Sequence, residues 1–316
     1  MRRPGAKSIP DGRPPMTDAA PSGAAPRIDA TALVMGVAFA TIWSSAFSSA
    51  KIALQDAPPF LMLGVRFALS GTVAVLLAAA LGQRLPRTRR AWGLAALFGL
   101  CQNTLYLGLN FLAMTTTPAG LAAIIASALP LVVAAMRAAL GERLPALALL
   151  GLAAGFAGVV VIMWGRVTGG ADPVGLALCV AGVLALGVAT LVVRGATAGE
   201  GLLMIVGVQM LVGSATLLPI GLIFESPDQV NPTLSLGLAF AYTTIMPGLV
   251  ATLIWFALVN RVGATAAATF HFLNPGLGVG IAALLVGEAV GWIDAAGVAV
   301  VTAGIAAVQL SRRRRS

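Results

Sequence analysis

Residues 118–143 read PAGLAAIIASALPLVVAAMRAALGER, and residues 263–288 read GATAAATFHFLNPGLGVGIAALLVGE. Each is an apolar run about 20 residues long, enough for a helix to cross roughly 30 Å of hydrocarbon. Each carries a proline near its middle and ends in Gly-Glu. Ala128-Leu129-Pro130 in the first is answered by Leu273-Asn274-Pro275 in the second, 145 residues later. Gly141-Glu142 is answered by Gly287-Glu288, 146 residues later, and Gly151 and Gly158 meet Gly297 and Gly304 at that same offset. The runs are continuous rather than alternating, so they predict helices and not barrel strands.

Reading outward from these two stretches, eight more of the same kind appear. The ten expected spans lie near 32–50, 59–81, 92–113, 118–139, 146–164, 174–193, 202–223, 234–258, 264–285 and 292–310. Turn residues separate them, among them Asp56-Ala57-Pro58-Pro59, Gly169-Gly170 and Ser226-Pro227-Asp228. The expected fold is an all-α membrane protein of ten transmembrane helices in two five-helix repeats, residues 31–165 and 173–310. An odd number of spans per repeat turns the second upside down relative to the first. Inverted repeats of this kind recur in secondary transporters, with the site near the midplane between the halves.

Composition agrees with lipid as the solvent. The chain is 59% hydrophobic and 10% charged, whereas soluble domains carry about a quarter charged residues. The net charge of +9 does not signal nucleic acid, because the basic residues sit in tails and short connections without a basic face. Cys101 and Cys179 both fall in apolar runs, which argues against a disulfide framework, and no metal or other cofactor is expected. Residues 1–30 read as a flexible cytoplasmic tail rather than a cleaved signal, with Met16 an alternative start. Residues 311–316 read as a basic tail.

Lys and Arg in the loops set the orientation. With the amino terminus in the cytoplasm, about seventeen fall inside and two, Lys51 and Arg166, outside, with Arg66 left within a span. Both termini are therefore expected in the cytoplasm, and a bacterial inner membrane is the expected location.

Ile42-Trp43-Ser44-Ser45-Ala46-Phe47 followed by Lys51, Arg66-Phe67, Thr117-Pro118-Ala119-Gly120 through Pro130 to Gly141-Glu142, and Arg261 through Asn274-Pro275 to Gly287-Glu288 stand in a telling order. Together they resemble the EamA-type members of the drug/metabolite transporter superfamily over nearly all of residues 32–310. The resemblance implies a ten-helix inverted-repeat carrier with a central cavity. Its expected substrates are amino acids, related metabolites or drug-like compounds, often exported. His271 and Phe272 depart from the family pattern, which commonly has an aliphatic or acidic residue there.

Polar groups inside hydrocarbon are costly and usually face protein or a wet cavity. Arg66 offers a cation to a carboxylate or phosphate, or else snorkels to an interface. Gln102 and Tyr106, with Asn103 and Asn110, make two polar stripes on adjacent faces of the third span, fit for a cavity wall or for interhelical hydrogen bonds. Tyr242 begins a polar patch in the eighth span, and Trp43 could stack on a flat ligand. Pro130 and Pro275 interrupt equivalent spans, which is the best sequence pointer to a transporter's site, and Asn274 adjoins the second. His271, the lone histidine, suits a proton switch or a plain interhelical hydrogen bond. No Asp or Glu falls mid-span, so coupling rests with His271, a carbonyl-and-hydroxyl sodium site, or exchange. Glu142 and Glu288 read as surface caps or gate partners. Gly151-xxx-Gly155 and Gly276-xxx-Gly280 permit close helix approach, within the chain or in a homodimer.

The want of a two-histidine metal motif, paired mid-span aspartates or a Ser-His-acid set argues against an intramembrane enzyme, and none is expected. A non-transporting scaffold or accessory subunit is the alternative function, and the short loops offer it little surface.

Overall fold

The computed structural model describes residues 29–168, 170–196, 201–262 and 267–313. Residues 1–28 of the expected tail lie outside that set, as do 263–266 at the start of the ninth expected span and 314–316. All regular structure among the described residues is helical.

Helix α1 (Ala30–Ala53) starts where Asp29 Oδ1 accepts from Ala32 N at 2.9 Å. Helix α2 (Pro59–Ala80) opens on a proline, whose missing N–H is no loss in a first turn. Thr88 caps α3 (Arg89–Gly99), which runs through a π-helical stretch, Leu100–Leu107, into α4 (Gly108–Thr116). Then come α5 (Ala119–Ser127), α6 (Leu129–Ala139), α7 (Ala146–Thr168), α8 (Pro173–Ala196) and α9 (Leu202–Phe224). Helix α10 (Leu234–Ile245) passes through a second π stretch, Met246–Val250, into α11 (Ala251–Val262). A 3₁₀ segment, Ala268–Leu273, leads into α12 (Asn274–Val286), and α13 is Trp292–Arg313.

Eight of the described helical stretches are long and apolar enough to cross a bilayer. They match the expected spans except the third and the tenth. The third is helical throughout 89–116 but begins on Arg89-Arg90, and the apolar part of the tenth, Trp292–Val308, is shorter than the rest.

Four expected spans are not uniform α-helix. Pro130 stands in the first turn of α6, so the fourth span breaks at Ala128. Pro275 likewise stands in the first turn of α12, after 3₁₀ backbone. Pro247, which has no N–H to give, sits in the π stretch of the eighth. The π stretch of the third contains no proline.

Small residues set the tightest packing. Helix α2 lies along α9, and α7 along α13. A methyl added at Gly304 would fall 2.6 Å from Gly155 Cα and 2.7 Å from Gly151 O, so these backbones touch directly. The expected close approach at Gly151 and Gly155 is thus made within the chain. At Gly276 and Gly280 no such approach is made among the described residues: the nearest atom to an added methyl is Val298 Cγ1 at 4.0 Å for the first, and nothing lies within 4 Å for the second. Helix α5 is buried along its whole length, wedged against α12, α1 and α8, which is why its sequence is apolar on every face.

The polar contacts define two ends. At one, Lys51 Nζ donates to Met114 O (2.5 Å) and Thr117 O (3.2 Å), and Arg166 holds Asp294 through two hydrogen bonds (2.9 and 2.5 Å). At the other, Arg261 pairs with Asp29, and Gln83 Oε1 accepts from Met204 N at 3.0 Å.

Candidate functional site

A cavity of about 410 Å³ lies among α1, α2, the α3–α4 helix, α8, α9 and α10–α11. Both π stretches line it, the first through Gln102, Asn103, Tyr106 and Leu107, the second through Pro247 and Gly248. A π turn leaves a local gap in the α ladder and often marks a functional position. Gln102, Asn103, Tyr106 and Asn110 all face this one hollow, so the two expected stripes are parts of a single wall.

Two of these side chains are held firmly. Asn103 Nδ2 donates to Gln209 O (2.9 Å) and Gln209 Oε1 (2.6 Å), and Asn110 Nδ2 donates to Tyr106 O (2.9 Å). The Asn103–Gln209 bonds join two helices, and such bonds average about 0.6 kcal/mol in membranes, so they fix geometry more than they add stability. Asn110 Oδ1 is buried and accepts nothing among the described residues.

His271 lines the same cavity and is ringed by aromatics. Phe39, Trp43 and Trp255 approach it edge-to-face, with centroids at 5.3, 6.0 and 5.2 Å. Asn274 Nδ2 meets its Nδ1 at 2.8 Å, three residues along, where the 3₁₀ segment gives way to α12. This places Trp43 in an aromatic cluster rather than alone.

Arg66 is buried and also lines the cavity. Its Nε has no hydrogen-bond partner among the described residues. Its guanidinium lies 5.5 Å from the Phe67 ring centroid and beside Gly248, to which an added methyl would stand 3.9 Å from Nη2.

Four expected site residues are not on the lining. Pro130 and Pro275 sit one step behind it, next to Leu129 and within a turn of His271, which are on it. Asn274 reaches it through His271. Tyr242 turns away to bond Ser45 through its hydroxyl at 2.7 Å. Gln209 is a wall residue that the sequence reading passes over, although a lone amide in the middle of an apolar span is a usable signal. Phe39, Phe98 and Thr252 carry no such signal.

The cavity lining extends toward both ends of the bundle. Toward Lys51 its lining is Phe47, Phe111 and Met114, all buried. Toward Asp29 it reaches Thr190 and Leu202, which are half-buried.

A polytopic helical membrane protein with a hollow of this size, lined by amides, an arginine and aromatics, is built as a membrane transporter. The comparisons give the family. The model of the EamA-like transporter family matches residues 30–164 and again 173–310, and the chain belongs to that family. Among its relatives, the uncharacterized transporter YvbV of Bacillus subtilis is 27% identical over 78% of this chain and 80% of its own. The uncharacterized inner membrane transporter YedA of Escherichia coli K12 is 26% identical over 86% of this chain and 88% of its own. A crystal structure of a chain 24% identical in sequence superposes with a TM-score of 0.64, covering 90% of this chain and 99% of that one, and shows the fold alone.

Proposed function

We propose that the chain is a secondary carrier of a small metabolite, an exporter working by alternating access between two inverted five-helix repeats, 31–165 and 173–310. The observation that carries this reading is the cavity, to which both repeats contribute polar walls. Arg66, Gln102, Asn103, Tyr106 and Asn110 come from the first, and Gln209, Thr243, Thr252 and His271 from the second. The π stretches begin at Leu100 and Met246, at the same 146-residue offset as the Gly-Glu pairs, which supports the repeat. On the orientation that the loop charges favour, the Asp29 end is cytoplasmic, and an exporter loads its cargo from that side. The location is a bacterial inner membrane, as the Escherichia coli inner membrane transporter YedA supports, and the loop charges favour both termini inside.

Coupling runs through a proton at His271 or through exchange of one substrate for another. Counterflow in proteoliposomes tests the carrier: a panel of labelled amino acids, organic acids and amines is offered outside, with the unlabelled compound trapped within. Saturable uptake stimulated by the trapped compound is expected for at least one member. Linear flux marks a pore, and a panel without flux favours the scaffold. His271→Asn flattens the pH profile of uptake if the proton reading holds, and leaves it unchanged under exchange.

A further inference from the structure

The cavity contains one formal charge that none of the described residues neutralises. Among the described lining residues Arg66 is the only charged side chain, His271 apart, and no Asp or Glu joins it. Asp29, Glu142, Asp172, Glu225, Glu288 and Asp294 are each engaged at a helix end. A buried arginine normally pairs with a carboxylate or donates to helix-end carbonyls, because its desolvated charge is otherwise left unsupported. Among the described residues Arg66 does neither, although it lies beside the π stretch containing Gly248, where the regular backbone ladder is interrupted. Its five donors in a planar fork match a carboxylate bidentately. Other walls of the same cavity are flat and apolar, from Trp43, Trp255, Phe39, Phe98 and Phe111.

We infer that Arg66 receives the headgroup of the transported molecule, and that this molecule is an organic monoanion, a carboxylate with a flat or apolar body. The inference rests on the carrier reading and narrows it to one class of substrate. An anion arriving at Arg66 supplies the missing counter-charge, so it gains from a site already arranged for it. A cation meets the same charge with the opposite result. A zwitterion brings an ammonium group for which the described lining holds no carboxylate. The body of the molecule then lies against the rings.

The test is ligand-induced thermal stabilisation of the purified full-length protein in detergent. The anionic probes are phenylacetate, 3-phenylpropionate and octanoate. The matched probes are phenylacetamide (neutral), phenethylamine (cationic) and phenylalanine (zwitterionic). At least one carboxylate is expected to raise Tm saturably, with its neutral, cationic and zwitterionic counterparts leaving Tm unmoved. Arg66→Gln abolishes the rise, and Arg66→Lys weakens the apparent affinity about tenfold, since an ammonium keeps the charge and loses the fork. Stabilisation by the amide, the amine or the zwitterion equal to that by the carboxylate overturns the inference, as does a panel in which no carboxylate acts. These outcomes need only the unaltered protein, so they stand even where Arg66→Gln fails to fold. The carrier reading is judged separately: counterflow of an amine or an amino acid refutes the monoanion and keeps the carrier.

Discussion

Glu288 and Glu142 follow the same kind of helix ending and have opposite occupations. In each case a glycine with positive φ, Gly287 at 73° and Gly141 at 93°, stops the helix in the left-handed conformation that glycine adopts without strain. After it, Glu288 reaches across to another helix, where its carboxylate accepts from Ala119 N (2.5 Å) and Gly120 N (2.9 Å) in the first turn of α5. Glu142 turns back to Arg137 of the helix it has just left. The first turn of α5 follows Pro118, which has no side chain able to cap it, so the exposed N–H groups and the positive end of the helix dipole depend on a carboxylate from elsewhere. Glu225 does the same for α2, which follows Pro58, accepting from Phe60 N and Leu61 N at 2.9 and 2.8 Å. A shared sequence signature therefore fixes where a carboxylate emerges and leaves open whether it fastens two helices or merely decorates one. At the Lys51 end it fastens, close to Met114, a buried residue of the cavity lining.

The comparison can be broken most directly at Glu288. Glu288→Ala leaves two helix-start donors without an acceptor and is expected to lower stability by about 2 kcal/mol, read as a drop in Tm in detergent. It should also raise thiol labelling of a cysteine placed at Thr117 in a cysteine-free background. A loss no larger than that of Glu142→Ala would remove the distinction drawn here. Glu225→Ala, measured the same way, is expected to cost about 1.5 kcal/mol without changing labelling at position 117, which separates the two caps. Glu142→Ala should fall within about 0.5 kcal/mol of the parent, because its pair with Arg137 is exposed.

The smallest effect is expected at Asp29, and only in acid. Its hydrogen bonds with Arg261 and with Ala32 N hold its carboxyl at about 2, below the usual 3.8. A carboxyl depressed in the folded state contributes its stability in full above the ordinary value and loses it as pH falls from about 4 toward 2. Asp29→Asn should therefore flatten that part of the stability curve and leave the rest parallel. An unchanged acid limb would show that the Asp29–Arg261 contact does no stabilising work.

The spans were legible because a helix in lipid must be apolar over its whole length, and Leu202–Phe224 or Pro59–Ala80 announces itself in composition alone. The cavity wall was partly legible for the related reason that amides are rare in such runs, which singled out Asn103 and Asn110. The backbone departures were less so. Pro247 signals trouble in the eighth span, but Leu100–Leu107, which packs against α8 and α9, contains no residue that dictates a π turn. The partner of Glu288 was illegible, since Glu142 reads the same. Gln209 is tied to Asn103 across 106 residues, a pairing that only the fold brings about.

The contact of Gly304 with Gly151 and Gly155 has a mechanical consequence. Elsewhere along the seam a glycine on one rod is a socket for a side chain of the other: Ile162 lies against Gly297, and Val300 and Val301 lie against Gly158. Gly304 has no such knob opposite it, only bare main chain, so any side chain placed there would act as a wedge and lever α7 and α13 apart.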